Sequence, residues 1–360
     1  MPELLQKYTM LLIKPVGTIL IALMIGVLLI IPTDTSPWEA YSVLFYGAFG
    51  SPANFANTLA RSTPFLFTGL AAAFAFRAGV FNIGIEGQMY LGALCAALMG
   101  VKGSGLPGFL LIPLCLLAAM VGGLLWSFVP GFLKAKFNIN IVIVSIMMNN
   151  IAILFTSYLS TYPFKGELPI GATGKIAAEA MLPRLGNQSE LNFGFIIGLL
   201  AAMILYIVIF RTRFGYEMRA FGLNERFTRY MGVDLVKKTL LVLFISGVLA
   251  GLAGAEQVMG VNYRFISNFS TGYGFTGITV ALLGRLNPLG IIIGAIFFGA
   301  MNTGAVQMEV MTSISRDLIS SLQAVMILFL AAEYFIKLPK WKLLQLLPWK
   351  KAEKAHDGLN

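Results

Sequence analysis

The sequence predicts an all-α polytopic membrane protein with about ten transmembrane helices, on three observations. First, 58% of the 360 residues are hydrophobic and only 12% are charged, against about 25% charged in soluble domains. Second, the apolar residues come in continuous runs that reach the roughly 20 needed to cross a hydrocarbon core. Continuity rather than alternation points to helices and not to a barrel. Third, Lys and Arg concentrate in the segments that separate the runs, which is the signature of membrane topology.

The runs fall at about 11–31, 58–77, 80–100, 106–129, 139–160, 193–210, 239–258 and 317–337. The stretch 267–310 is long enough for two more, one ending near Gly284 and one starting at Pro288. The first run continues without a small-residue cleavage site, so it reads as a retained helix. Loop charge sets direction: residues 32–57 hold Asp34 and Glu39 without Lys or Arg, and read as external. Lys134 and Lys136, the seven basic residues of 211–238 and the six of 337–360 read as cytoplasmic. Both termini are then cytoplasmic, provided that 267–284 crosses the membrane. The chain divides into an N-terminal helix with external loop (1–57), a transmembrane domain (58–337) and a basic tail (338–360).

The net charge of +10 is spread over loops, with no basic soluble domain, so a nucleic-acid partner is excluded. Cys95 and Cys115 lie in apolar runs and read as small hydrophobes rather than a disulfide. The single histidine, His356, is in the tail, which leaves none for a metal or proton relay inside the membrane. Gly174-Lys175 lacks the preceding glycine and the Ser/Thr of a phosphate loop, and Asn187-Gln188-Ser189 reads as a chance glycosylation match.

Several polar groups interrupt the runs. Asn82 and Glu86, if helical, share one face at i and i+4, with Gln88 just beyond and Gly84 and Gly87 able to unwind the backbone. A carboxylate at this depth faces a partner or a cavity, so Glu86 reads as a hydrogen-bond acceptor holding a bent backbone, a lining of a translocation path, or a substrate contact. Asn149, Asn150, Asn302 and Gln307 read as interhelical glue or pore lining. Arg61, near an outer helix end, can snorkel to the interface. Gly247-x-x-x-Gly251 and Gly290-x-x-x-Gly294 allow close helix approach.

The segment 211–238 is the most informative. Seven Arg/Lys stand there against three Asp/Glu, between two greasy runs. Asn224 is a fitting N-cap for a helix through Tyr230, and Gly232 can end it in the left-handed conformation. Phe227, Tyr230 and Met231 then share one side, which suggests a docking surface for a soluble partner rather than a simple charge anchor.

Thr212-x-x-Gly215-x-x-x-Arg219-Ala220-x-Gly222-x-Asn224, closing on Gly232-Val233, resembles the coupling loop of bacterial ABC importer permeases of the branched-chain amino acid and monosaccharide group. Phe275 to Arg285, followed by Asn287-Pro288-Leu289-Gly290, resembles that group's second signature. Phe81 to Gly92 is most similar to its nucleoside branch. Where the group usually has a pair of alanines, this chain has Phe227-Thr228. The resemblance spans about residues 58–337. It implies a fold like the vitamin B12 type (type II) importers, and a permease subunit for nucleosides in a bacterial cytoplasmic membrane. It implies alternating access driven by separate cytoplasmic ATPases that carry ATP and Mg, a second permease subunit (related or identical) and an external substrate-binding lipoprotein. This chain would hold no cofactor and be no enzyme. Coupling falls to Gly215, Arg219, Ala220, Gly222, Asn224, Phe227 and Gly232. The alternatives are a permease for ribose-like sugars and an ion-coupled transporter, which would want more intramembrane acids than Glu86, Glu256 and Glu333.

Overall fold

The computed structural model describes residues 24–312, save 29, 33, 34, 187 and 188, and scattered positions from 314 to 325. The apolar runs expected at 11–31 and 317–337 lie largely outside the described residues.

Eleven α-helices of this region are numbered here in chain order: α1 (Pro37–Phe49), α2 (Pro52–Arg77), α3 (Ile85–Lys102), α4 (Gly108–Phe137), α5 (Ile141–Thr161), α6 (Phe193–Arg211), α7 (Arg213–Leu223), α8 (Glu225–Tyr230), α9 (Leu235–Glu256), α10 (Tyr273–Leu283) and α11 (Pro288–Met311). A π-helical turn, Gln257–Asn262, extends α9. No sheet occurs among the described residues, only two isolated bridges. Six segments are long and apolar enough to cross a membrane: α2, α4, α5, α6, α9 with its π turn, and α11.

Local sequence explains most helix starts. Ser51 accepts from the Asn54 N–H at 3.1 Å and Pro52 follows it, the favoured cap and first-turn pair. Asn140, Asn192 and Asn287 cap α5, α6 and α11 in the same way. The three-residue gap between α4 and α5 is turned by Asn138, whose φ of 52° is left-handed. Helix α2 is the centre of the molecule, with 89% of its apolar window buried, against 28% in α4, α5 and α6. The latter three therefore present most of their surface to lipid or to partner subunits.

The most extensive packing joins α9 to α4. Gly123 lies on the Gly247 backbone, and Gly251 lies on Ala119 and on Gly92 of α3. A Cβ at any of these glycines would collide with a facing main chain, so three backbones touch where side chains would hold them apart. Gly290 packs differently, against Gly284 at the end of α10.

Four elements depart from the sequence reading. The run 80–100 becomes helical only at Ile85, because Gly79 turns left-handed (φ 73°) and residues 80–83 are non-helical. The crossing expected over 267–284 contains only the eleven-residue α10, about half of what a span needs. Helix α2 begins at Pro52, so it runs through the boundary drawn at 57/58, and α1 lies within what reads as loop. Finally, 211–224 holds a helix of its own, α7, ahead of the expected one.

Residues 162–186 pack over the end of the bundle opposite the loop 211–238. Thr173 and Ile176 donate backbone N–H groups to Phe265 and Tyr263 at 3.0 and 2.9 Å, and Leu182 donates to Met259 at 2.9 Å. Ile176 packs on Gly100 near the end of α3.

Candidate coupling loop and membrane-embedded polar centre

Two sites gather the polar residues, one at the end of the bundle that carries the basic loop 211–238 and one in the middle of the helix bundle.

In the middle, the N-termini of the 18-residue α3 and of the short α10 converge. Depth follows from Asn82, whose Nδ2 donates to Ser246 Oγ at 2.9 Å, midway along α9. The Glu86 carboxylate, in the first turn of α3, accepts from the Gly274 N–H at 2.6 Å, in the first turn of α10. It therefore sits at the positive ends of two helices. Gly274 is glycine because a Cβ there would lie 2.7 Å from Glu86 Oε2.

Asn82 stands outside α3, so the shared helical face with Glu86 does not form. Its Oδ1 instead accepts from Gly84 N–H at 3.0 Å, and its Nδ2 also donates to Gln88 Oε1 at 3.0 Å. Asn149 on α5 closes the same corner: Nδ2 donates to Ile83 O and Oδ1 accepts from Gly87 N–H, both at 2.9 Å. The non-helical segment and the start of α3 thus have their backbone groups met by side chains, as non-helical chain at this depth requires. Glu256, where α9 becomes π-helical, is held by Asn192 at 3.1 Å and Gln257 at 2.8 Å. It is a second buried carboxylate, with no ion-pair partner among the described residues. Among the described residues no group of three His, Cys, Asp or Glu could hold a metal.

Other amides are apart from this centre. Asn302 donates to Phe298 O of its own helix, and Asn150 does so to Ile146 O on an exposed face. Arg61, with Asn54, Asn57, Arg184, Glu190 and Gln307, lines a cavity of about 470 Å³.

At the base, α7 lies across the inner end of α2. Thr212 caps it, accepting from Gly215 N–H at 3.1 Å, and Gly215 is pressed on the Val208 and Ile209 carbonyls. Gly222 meets the Arg77 carbonyl and the Gly79 backbone, with no room for a Cβ. Arg219 donates through Nε to Gly215 O at 3.3 Å and lies 5.6 Å over the Phe210 ring. Ala220 is half-buried beside it and accepts from the Asn224 N–H. Lys238, almost fully buried, joins α9 to α7 through Glu217 at 2.7 Å. That lysine, with Arg213 at 3.0 Å, holds the Glu217 carboxyl below the usual carboxylate range.

Asn224 caps α8, accepting from Phe227 N–H at 3.0 Å, and Gly232 follows at φ 79°. Thr228 turns inward and bonds Asn224 O at 2.9 Å. Phe227, Tyr230 and Met231 are 56%, 91% and 47% exposed, so α8 shows an apolar face to whatever lies beneath it.

The chain matches the family described as branched-chain amino acid transport system / permease component over residues 54–331. It belongs to that permease family. A guanosine ABC transporter permease of Bacillus subtilis is 37% identical over 92% of this chain and 96% of its own length. A glucose ABC transporter permease of Haloferax volcanii is 34% identical over 90% and 88%. A nucleoside ABC transporter permease of Lactococcus lactis is 32% identical over 95% and 97%. This permease is thus a multi-pass membrane protein whose relatives are transporter subunits rather than enzymes. Arg77 is a polar residue that the sequence reading did not single out, and Glu256 is one that it weighed only as an intramembrane acid of an ion-coupled transporter. Only the placement of Arg77 under α7 distinguishes it.

Proposed function

We propose that this permease is one membrane subunit of an ATP-driven nucleoside importer, moved by separate ATPases that bind ATP and Mg. The observation that carries the reading is the two-helix loop α7–α8. It exposes an apolar face below the membrane while its other side is locked on α2 by Gly222 and on α9 by Lys238–Glu217. A force on α8 is then delivered to the central helix and to the seam of α3 and α10 beyond Gly79. Gly215, Arg219, Ala220, Gly222, Asn224 and Gly232 shape this loop, and Phe227 belongs to its contact face. Asn82, Glu86, Gln88 and Asn149 act as structural ties that hold the seam, and Asn302 steadies α11.

The amide-rich outer cavity suits the hydroxyls and base edges of a nucleoside released by an external binding protein. The guanosine and nucleoside permeases among the relatives support this substrate class. The glucose permease supports a sugar as the second reading. The type II arrangement of about ten crossings, the cytoplasmic termini, the second permease subunit and a bacterial cytoplasmic membrane complete the proposal.

The test is uptake into proteoliposomes holding the complete complex and its binding protein. ATP-dependent accumulation of labelled guanosine or uridine above ribose and glucose is expected. Preference for the sugars selects the second reading. Uptake driven by an ion gradient without any ATPase overturns the importer.

A further inference from the structure

Two guanidinium groups share one aromatic ring at the cytoplasmic base, and among the described residues neither is paired with an acid. Arg77, the last residue of α2, places its guanidinium carbon 4.6 Å from the Phe210 ring centre, and Arg219 of α7 lies 5.6 Å from the same ring. Among the described residues neither forms an ion pair. Arg77 Nη1 is buried with no hydrogen-bond partner. Two acids of the loop are engaged elsewhere, Glu217 with Lys238 and Arg213, and Asp234 with Lys237. A ring face satisfies a cation only in part, and a buried charged donor left unmade is costly. Two like charges gathered with an unmet donor are a receptor awaiting an anion, and arginine forks suit the two oxygens of a carboxylate.

We propose that Arg77 and Arg219 together bind one carboxylate side chain of the cytoplasmic ATPase. This rests on the importer reading above, and adds to it a residue of the central helix. The pair sits where α7 touches α2, beside the Gly222–Gly79 backbone contact. The incoming acid therefore clamps the partner to α2 directly, as well as to the exposed face of α8. The loop is net basic, with seven Arg/Lys to three Asp/Glu, which favours an acidic partner surface.

The experiment uses the full permease–ATPase complex in nanodiscs of neutral lipid and of lipid with added anionic phosphatidylglycerol. Arg77→Gln and Arg219→Gln are each expected to weaken ATPase retention by about tenfold or more, the size usual when one member of a desolvated charge pair is lost. The double variant is expected to lose little more than either single one, because the two share one anion. Arg77→Lys keeps the charge and supplies an amine that can displace a carbodiimide-activated carboxylate to form an amide with loss of the urea, which the arginine guanidinium does not do. A cross-link mapped from position 77 to an Asp or Glu of the ATPase is expected, and is readable whether or not the glutamine variants assemble.

Undiminished retention in the single variants overturns the proposal. So does a cross-link confined to Glu225 of the same chain, or a loss of retention seen only with the anionic lipid. If the unaltered chain retains no ATPase at all, the importer reading itself fails, which is a separate result.

Discussion

At the scale of single residues, charge and hydrogen bonding separate the loop from the buried centre. Arg219 lies on Phe210 with its fork half-exposed, so Arg219→Glu puts an acid where a partner's acid is proposed to bind. Membrane insertion should be unchanged while substrate-stimulated ATP hydrolysis falls to background. Normal stimulation by that variant would remove Arg219 from the coupling surface. Glu217 gives a pH test with a definite sign. Its pKa is lowered in the fold, chiefly by the Lys238 hydrogen bond. Its contribution is therefore present above the unfolded carboxyl value of about 4.3 and disappears as pH falls through the lower folded value. The melting temperature of the wild type should exceed that of Glu217→Gln at pH 7, and the gap should close as the solution is acidified below that range. A gap that widened in acid would show that the lysine contact is not what lowers the carboxyl.

At the scale of elements, the structure turns on how a helix can start inside a bilayer. Asn149 satisfies a carbonyl before α3 and an N–H within its first turn. Asn149→Ala leaves both unmet, at about 1–3 kcal/mol each. Asn150→Ala, which loses only a bond to its own helix on an exposed face, should stay within about 0.5 kcal/mol of wild type. Thermal unfolding in detergent compares the two directly, and equal losses would refute the assigned tie. Helix α8 was legible in the sequence because its signals are local: a capping Asn224, three apolar residues on one side and a closing Gly232. Helix α7 was not, since its glycines, Gly215 and Gly222, serve tight tertiary contacts and read in one dimension as breaks. The seam at residues 80–84 was only half legible. The glycines there announced an irregularity, but Val80 and Phe81 are apolar enough to continue a helix. Only the bonds of Asn82 and Asn149 to distant elements fix the non-helical path.

At the scale of the whole molecule, the six long apolar helices, the family match and the relatives agree on a multi-pass permease. Orientation is open to a direct test with single cysteines placed at the exposed positions Glu167 and Arg213, in a chain freed of Cys95 and Cys115. A membrane-impermeant maleimide added to intact cells should label position 167 at once, and position 213 only after permeabilisation. The reverse pattern would invert the topology that loop charge predicts.

The triple glycine crossing of α3, α4 and α9 carries a consequence for motion. Where backbone rests on backbone there are no rotamers to exchange and no soft volume to compress. Sliding α9 along α4 would drive Val248 or Leu252 into a space shaped for Gly247 and Gly251. The three helices therefore have one register and travel as a block. They form the stator of this machine, and whatever opens and closes during its cycle must swing around them.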